Sequence, residues 1–210
     1  MPGINYFNTF ASVVKLISIY AVLAIAAACN IEIHQIDING AFLNRKLTNN
    51  KCIYMQQPPG FINSTHSLQV YHLKKMLYGL KQSGRQWYQW LYKILIDKLG
   101  FIYYNIDQSV FYKVTSHKLT ILVYVDNCTI VAISIGLVDW VKDGIKEFVK
   151  IMNLGEIYWL LSIELKKDHK ANKLMLSQWL YISALLCCFR LKDTKPVNIP
   201  MDPILWLTSD

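Results

Sequence analysis

Asp37 and Asp126 are the residues of this chain best placed to do chemistry. Each closes an apolar, β-branched stretch: Glu32 to Ile38 delivers Asp37, and Leu119 to Val125 leads into Asp126. An acid at the end of an otherwise apolar strand is a poor choice for stability, so it points to a metal or a reaction. Two such acids from separate strands can converge on divalent cations that clamp the attacking and leaving oxygens of a phosphoryl transfer. Magnesium suits that task, because it binds through a few carboxylates plus phosphate and water. Either acid taken alone reads better as a residue of a solvated turn, so the pair needs further support.

The elements that must position them are legible in outline. Leu119 to Ala132 reads LTILVYVDNCTIVA, two β-branched runs around Asp126-Asn127. That is the pattern of a β-hairpin with those two residues as its tight turn. Ala11 to Ala28, rich in Ala and Leu without Gly or Pro, predicts a helix. Arg85 to Leu99 predicts a second, with Trp87, Trp90, Leu91, Ile94, Leu95 and Leu99 as its apolar stripe and Gly100 as its stop. Gly136 to Lys150 and Trp179 to Phe189 predict two more. Short strands are predicted at Cys52 to Met55, Val70 to Leu73 and Val110 to Val114. Tyr158 to Leu165 and Lys173 to Leu176 predict a closing hairpin, and the tail after Asp193 an extended segment. The order gives an α+β fold, with helices on one face of a mostly antiparallel sheet.

Composition narrows the classes. With 210 residues and 53% apolar content the chain can fill a sizeable core, which excludes a disordered chain. A net charge of +8 suits a polyanionic partner such as nucleic acid or an acidic membrane. Lys74, Lys75, Lys81 and Arg85 could meet a phosphate backbone, or simply form a solvated basic face. Five cysteines without a CxxC pair, in apolar surroundings, predict reduced, buried thiols in an intracellular protein that is not secreted. Leu119 to Val138 is about long enough to span a bilayer, but would bring Asp126 to mid-membrane. Its β-branched content favours strands.

Five motifs in order carry a resemblance that covers nearly the whole chain. They are Gln35-Ile36-Asp37-Ile38-Asn39-Gly40-Ala41-Phe42-Leu43, Leu77 to Tyr88 (LYGLKQSGRQWY), Tyr124-Val125-Asp126-Asn127, Asn153-Leu154-Gly155-Glu156 and Leu161-Ser162-Ile163-Glu164. Together they resemble the reverse transcriptase of copia-type (Pseudoviridae-like) LTR retrotransposons, a domain of the Pol polyprotein, here truncated and degenerate. The resemblance implies a right-hand polymerase palm with partial fingers and the start of a thumb or connection. It divides the chain into a fingers remnant (1–34), the palm (35–165) and a segment toward the thumb (166–210). It implies RNA-directed DNA polymerase activity, in which a primer 3′-hydroxyl attacks the α-phosphate of a deoxynucleoside triphosphate with two magnesium ions, or manganese, as cofactors. Partners would be an RNA or DNA template-primer and deoxynucleoside triphosphates, with no membrane; protein partners stay open. The location would be a cytoplasmic particle or the nucleus.

By the same resemblance, Asp37 and Asp126 are the catalytic, metal-binding acids, and the carbonyl of Ile38 faces a metal. Phe42 is the aromatic wall under the sugar. Gln82, Ser83 and Gly84 border the incoming nucleotide, and Tyr124, Leu161 and Ser162 meet the primer. Asn127 stands where the family has its second turn acid; an amide brings no negative charge. Tyr20 replaces an arginine, while Arg45 and Ser162 replace glycines, which predicts strain at turns needing positive φ. These departures predict an impaired polymerase. The alternatives are a catalytically dead remnant or nucleic-acid-binding domain of the same fold, and, further off, a small membrane protein.

Overall fold

The computed structural model describes residues 8–47, 52–114 and 118–195. It divides into two compact units: residues up to Ile157 together with Lys167–Leu174, and Tyr158–Lys166 together with the chain from Met175 onward.

The first unit is built on a six-stranded sheet. Its strands are β1 (Glu32–Ile38), β4 (Ile102–Tyr104), β5 (Asp107–Val114), β6 (Lys118–Tyr124), β7 (Asn127–Ala132) and β8 (Ile151–Glu156), in the order β4-β5-β6-β7-β1-β8. Every pairing between them is antiparallel. A separate small ribbon pairs β2 (Tyr54–Gln56) with β3 (Val70–His72). The mixed α+β class expected from the sequence is therefore present.

One face of the sheet is covered by α2 (Ser83–Lys93), its π-helical continuation Ile94–Lys98, and α3 (Ile135–Lys146). Trp87, Leu91, Leu95, Val138, Val141 and Ile145 pack there with Ile36 and Ile38 of β1 and Cys128 and Ile130 of β7. Because strand side chains alternate, Gln35, Asp37, Asn127 and Thr129 point to the other face. Helices on one face holds for α2 and α3. Helix α1 (Leu16–Ala28) buries Ile19, Leu23 and Ala26 outside that cluster.

Several boundaries differ from expectation for physical reasons. The first helix begins at Leu16, not Ala11: Lys15 is extended, and the Val14 N–H donates to the Val123 carbonyl of β6 (3.2 Å). Its N-terminus is satisfied from a distance, since an Asp107 carboxylate oxygen in β5 accepts from the Lys15 N–H (2.8 Å) and the Ser18 hydroxyl (2.7 Å). Strand β8 was not foreseen, because Ile151–Glu156 (IMNLGE) carries Asn and Gly at a half-exposed sheet edge. Gly100 ends the second helical run as expected, at φ +69°.

After Ile157 come β9 (Trp159–Leu160), paired antiparallel with β10 (Ile163–Asp168), then β11 (Lys173–Ser177) and α4 (Trp179–Cys188), whose residues are all exposed or half-buried; residues 167–174 of β10 and β11 count with the first unit. The predicted extended tail after Asp193 is described only as far as Lys195, and the rest lies outside the described residues. The cysteine expectation is corrected: Cys128 alone is buried, and Cys29, Cys52, Cys187 and Cys188 are exposed, because they sit at element ends or on the open surface of α4. Among the described residues no helix is long and apolar enough to cross a membrane; Leu119 to Val138 is instead β6, β7 and the start of α3.

Candidate active site

The hairpin is present, one residue out of the expected phase. Tyr124 pairs with Asn127, so the turn residues are Val125 and Asp126, and Asn127 is the first residue of β7. The reason is Val125, which adopts φ +57°, a conformation that a β-branched residue rarely takes. Two bonds hold it: the Trp87 indole N–H donates to the Val125 carbonyl (2.7 Å), and the Ile38 N–H donates to the Asp126 carbonyl (2.9 Å). The tip of the hairpin is thus tied to the core of α2 and to the end of β1.

That second bond places Asp126 beside Asp37. Asp37 is the penultimate residue of β1 and lies directly opposite Asn127. Partial burial, then the neighbouring Asp126 charge, raise the Asp37 carboxyl above its usual range. Two other groups register both acids. The fully buried Cys128 thiol is pushed up to about 12, by burial first and then by Asp126 and Asp37. The Tyr78 phenol is raised by burial and by the same two carboxylates.

Asp126 has hydrogen-bond partners on both oxygens. The Tyr78 hydroxyl donates to Oδ2 and the Asn127 amide to Oδ1, each at 3.3 Å. The Asn127 amide oxygen in turn accepts from the Gln35 amide (3.3 Å). Phe42 sits next to this group, its ring centroid 4.4 Å from that of Tyr78. It is carried by a 3₁₀ turn, Ala41–Asn44, entered through Gly40 at φ +58° and closed by the Asn44 amide donating to the Asn39 and Gly40 carbonyls. Gly40 meets the left-handed requirement that the sequence suggested for Arg45. Arg45 itself is extended (φ −105°), so no strain arises there; its guanidinium lies 5.5 Å from the centre of the Trp90 ring.

The other sequence candidates fall in different surroundings. Gln82 and Ser83 are buried, and Ser83 spends its hydroxyl on the Leu77 carbonyl (2.7 Å). Gly84 packs near Ala11 and lines a cavity of about 70 Å³ shared with Phe42, Trp87, Val123 and Val125. The Ile38 side chain is buried, and Tyr124 is partly exposed beside Asn127. Leu161 and Ser162 form the β9–β10 turn of the second unit at φ +48° and +66°, so strain at Ser162 is borne out. Sequence reasoning gave no role to Tyr78 or Gln35. Tyr78 sat within a quoted motif, and Gln35 shares the alternation of Asp37, which was the available signal.

Among the described residues no group of three or more His, Cys, Asp or Glu is placed to hold a metal ion. What the tip offers is two mutually repelling carboxylates, with the Asn127 amide oxygen turned to Gln35 and its N–H to Asp126. That donor set fits a hard divalent cation, which would relieve the repulsion while water and phosphate complete its shell.

The two acids thus stand at the end of a helix-backed antiparallel sheet. The reverse transcriptase (RNA-dependent DNA polymerase) family matches residues 1–203, and the chain belongs to that family. Its relatives identify it as a copia-type domain. The Retrovirus-related Pol polyprotein from transposon TNT 1-94 of Nicotiana tabacum is 34% identical over 95% of this chain, and that from transposon RE1 of Arabidopsis thaliana 37% over 96%. The putative transposon Ty5-1 protein of Saccharomyces cerevisiae is 30% identical over 65% of the chain. The chain spans 15% and 14% of the lengths of the first two relatives. No solved structure matches. The family uses divalent metal ions and acts on nucleic acid and deoxynucleotides.

Proposed function

We propose that this chain is the polymerase core of a transposon Pol polyprotein and performs RNA-directed DNA synthesis at Asp37 and Asp126, at a reduced rate. The observation that carries the reading is the convergence of the two acids, with Phe42 and Tyr78 beside them, at one end of the sheet. Magnesium, or manganese in its place, would neutralise the triphosphate of the incoming nucleotide. Asp37 and Asp126 would hold it, with the Ile38 carbonyl beside them. Phe42 would lie under the sugar, Gln82, Ser83 and Gly84 near the base, and Tyr124, Leu161 and Ser162 along the primer. The new bond joins the primer 3′-oxygen to the α-phosphorus, and the bond to pyrophosphate breaks. Asn127 lowers the negative charge available to a cation, and its amide N–H faces Asp126, where a carboxylate would face a cation.

In this reading residues 1–34 are the fingers side, 35–165 the palm and 166–210 the approach to the thumb. The basic balance of the chain suits a template-primer. Primer extension with magnesium and with manganese tests the proposal on the wild type and on Asn127→Asp. The expected result is slow extension by the wild type and at least a tenfold gain on restoring the acid, on the order of what one electrostatic group contributes at such a centre. No extension by either protein, with template-primer still bound, would replace the reading with that of a nucleic-acid-binding domain of the same fold. Equal extension by both would remove Asn127 from the account.

A further inference from the structure

We propose that Tyr78 sets the cation affinity of the acid pair by occupying it: its phenol takes an Asp126 lone pair, and its ring covers the Phe42 wall. The inference rests on the assignment of Asp37 and Asp126 as cation ligands.

Asp126 carries one protein donor on each carboxylate oxygen. Gln35 donates to Asn127, Asn127 to Asp126 Oδ1, and Tyr78 to Asp126 Oδ2, each at 3.3 Å. A cation binding through Oδ2 competes with the Tyr78 hydroxyl for that oxygen, so the hydroxyl must give way. Asn127 is fixed in β7 by its pairing with Tyr124 and with Asp37. Tyr78 is the donor free to leave. It is 55% exposed, and its ring is held on one side by Phe42 at 4.4 Å.

The backbone around Tyr78 is anchored, so the motion is a side-chain rotation. Met76 donates its N–H to the Arg45 carbonyl (2.9 Å), and the Ser83 hydroxyl grips the Leu77 carbonyl (2.7 Å). Gly79 follows at φ +90° and lets the chain turn directly after Tyr78. The ring lies against the side chain proposed to support the sugar. One rotation therefore uncovers both a carboxylate oxygen and the aromatic wall. Tyr78 acts through Asp126 and Phe42, as a positioning residue.

Manganese binding to the full chain, read from the free-ion electron paramagnetic resonance signal, tests this on the wild type, Tyr78→Phe and Tyr78→Ala, each also carrying Asn127→Asp. Phe keeps the ring on Phe42 and deletes the donor. Manganese should then bind about three- to tenfold more tightly, the scale of one hydrogen bond to a charged group at a partly exposed site. Tyr78→Ala should match or exceed that gain. A second readout needs no altered packing: with 3-fluorotyrosine at position 78, the fluorine resonance should shift on adding magnesium, and should not shift in Asp126→Asn. Unchanged or weaker manganese binding in Tyr78→Phe, or a fluorine signal blind to magnesium, overturns the inference and leaves the acid pair standing. Absence of manganese uptake in every variant, Asn127→Asp included, overturns both together.

Discussion

Two of the hairpin turns that hold L-residues at positive φ are secured very differently. At the β6–β7 turn Val125 (φ +57°) is locked by the Trp87 indole, and the next carbonyl by the Ile38 N–H. At the β9–β10 turn Leu161 and Ser162 take φ +48° and +66°, and among the described residues no side-chain hydrogen bond reaches either of them. A left-handed L-residue costs roughly 1–2 kcal/mol. In the first turn that cost is sustained by a buried tryptophan, and it buys a fixed position for Asp126. In the second it is borne by the strand pairing alone. Strain is kept in place where it positions a carboxylate, and elsewhere is simply tolerated.

Breaking the first turn should have the largest effect. Trp87→Phe keeps a buried ring but leaves the Val125 carbonyl without its donor and removes part of a core side chain. Urea unfolding should show a loss of about 2–4 kcal/mol; a loss under 1 kcal/mol would mean that the hairpin tip supports itself. Relieving the second turn should have a smaller effect of opposite sign. Ser162→Gly should raise stability by roughly 0.5–1 kcal/mol, after the entropy cost of glycine in the unfolded chain is subtracted. Val125→Gly should gain less, because Val125 also lines the small cavity under Phe42 and Trp87. Thermal melts of the pair that reversed this ranking would undo the contrast between the turns.

The smallest effect sharpens the electrostatics of the first turn. Asp37 has a raised folded pKa, from burial and then from Asp126. Its protonated form is favoured by folding, so the stability it contributes is full below its unfolded pKa and is lost as pH rises through the folded one. At neutral pH Asp37→Asn should therefore be more stable than wild type by on the order of 0.5 kcal/mol, given the partial solvent screening. The advantage should fade as pH falls through the raised value toward the ordinary carboxylate range. Chemical unfolding at pH 7 and pH 3.5 measures it, and a constant difference would exclude titration of Asp37 as its source.

Legibility followed the range of the interaction. Strand β1, the apolar runs of the hairpin and the stripe of α2 depend on local alternation or helical spacing, and they were readable. The phase of the turn was not: Asp126-Asn127 is a better turn pair by propensity than Val125-Asp126, and the bonds from Trp87 and Ile38 decide otherwise. The start of α1 was unreadable because its cap is Asp107, in a distant strand. For the site, the two acids stand out because each closes an apolar strand, and Phe42 through the family resemblance; the structure brings the three together. Tyr78 escaped notice because its contact with Asp126 is made only when the loop before α2 folds back over the hairpin. The expectation for Arg45 failed because Gly40, at the start of the same turn, already supplies the left-handed residue.

The strand order has a consequence for the birth of the molecule. β1 is made about ninety residues before its sheet neighbour β7 and still longer before β8, whose pairing residues run from Asn127 to Ala132 and from Ile151 to Glu156. Until Glu156 has emerged, Ile33, Ile36 and Ile38 have no complete sheet to enter, and Asp37 has no completed neighbourhood. Non-local closure of this kind is slow and leaves apolar strand edges open in the meantime. A nascent chain is therefore most aggregation-prone between the emergence of β1 and that of β8, and the acidic site cannot form until Asp126 has followed Asp37.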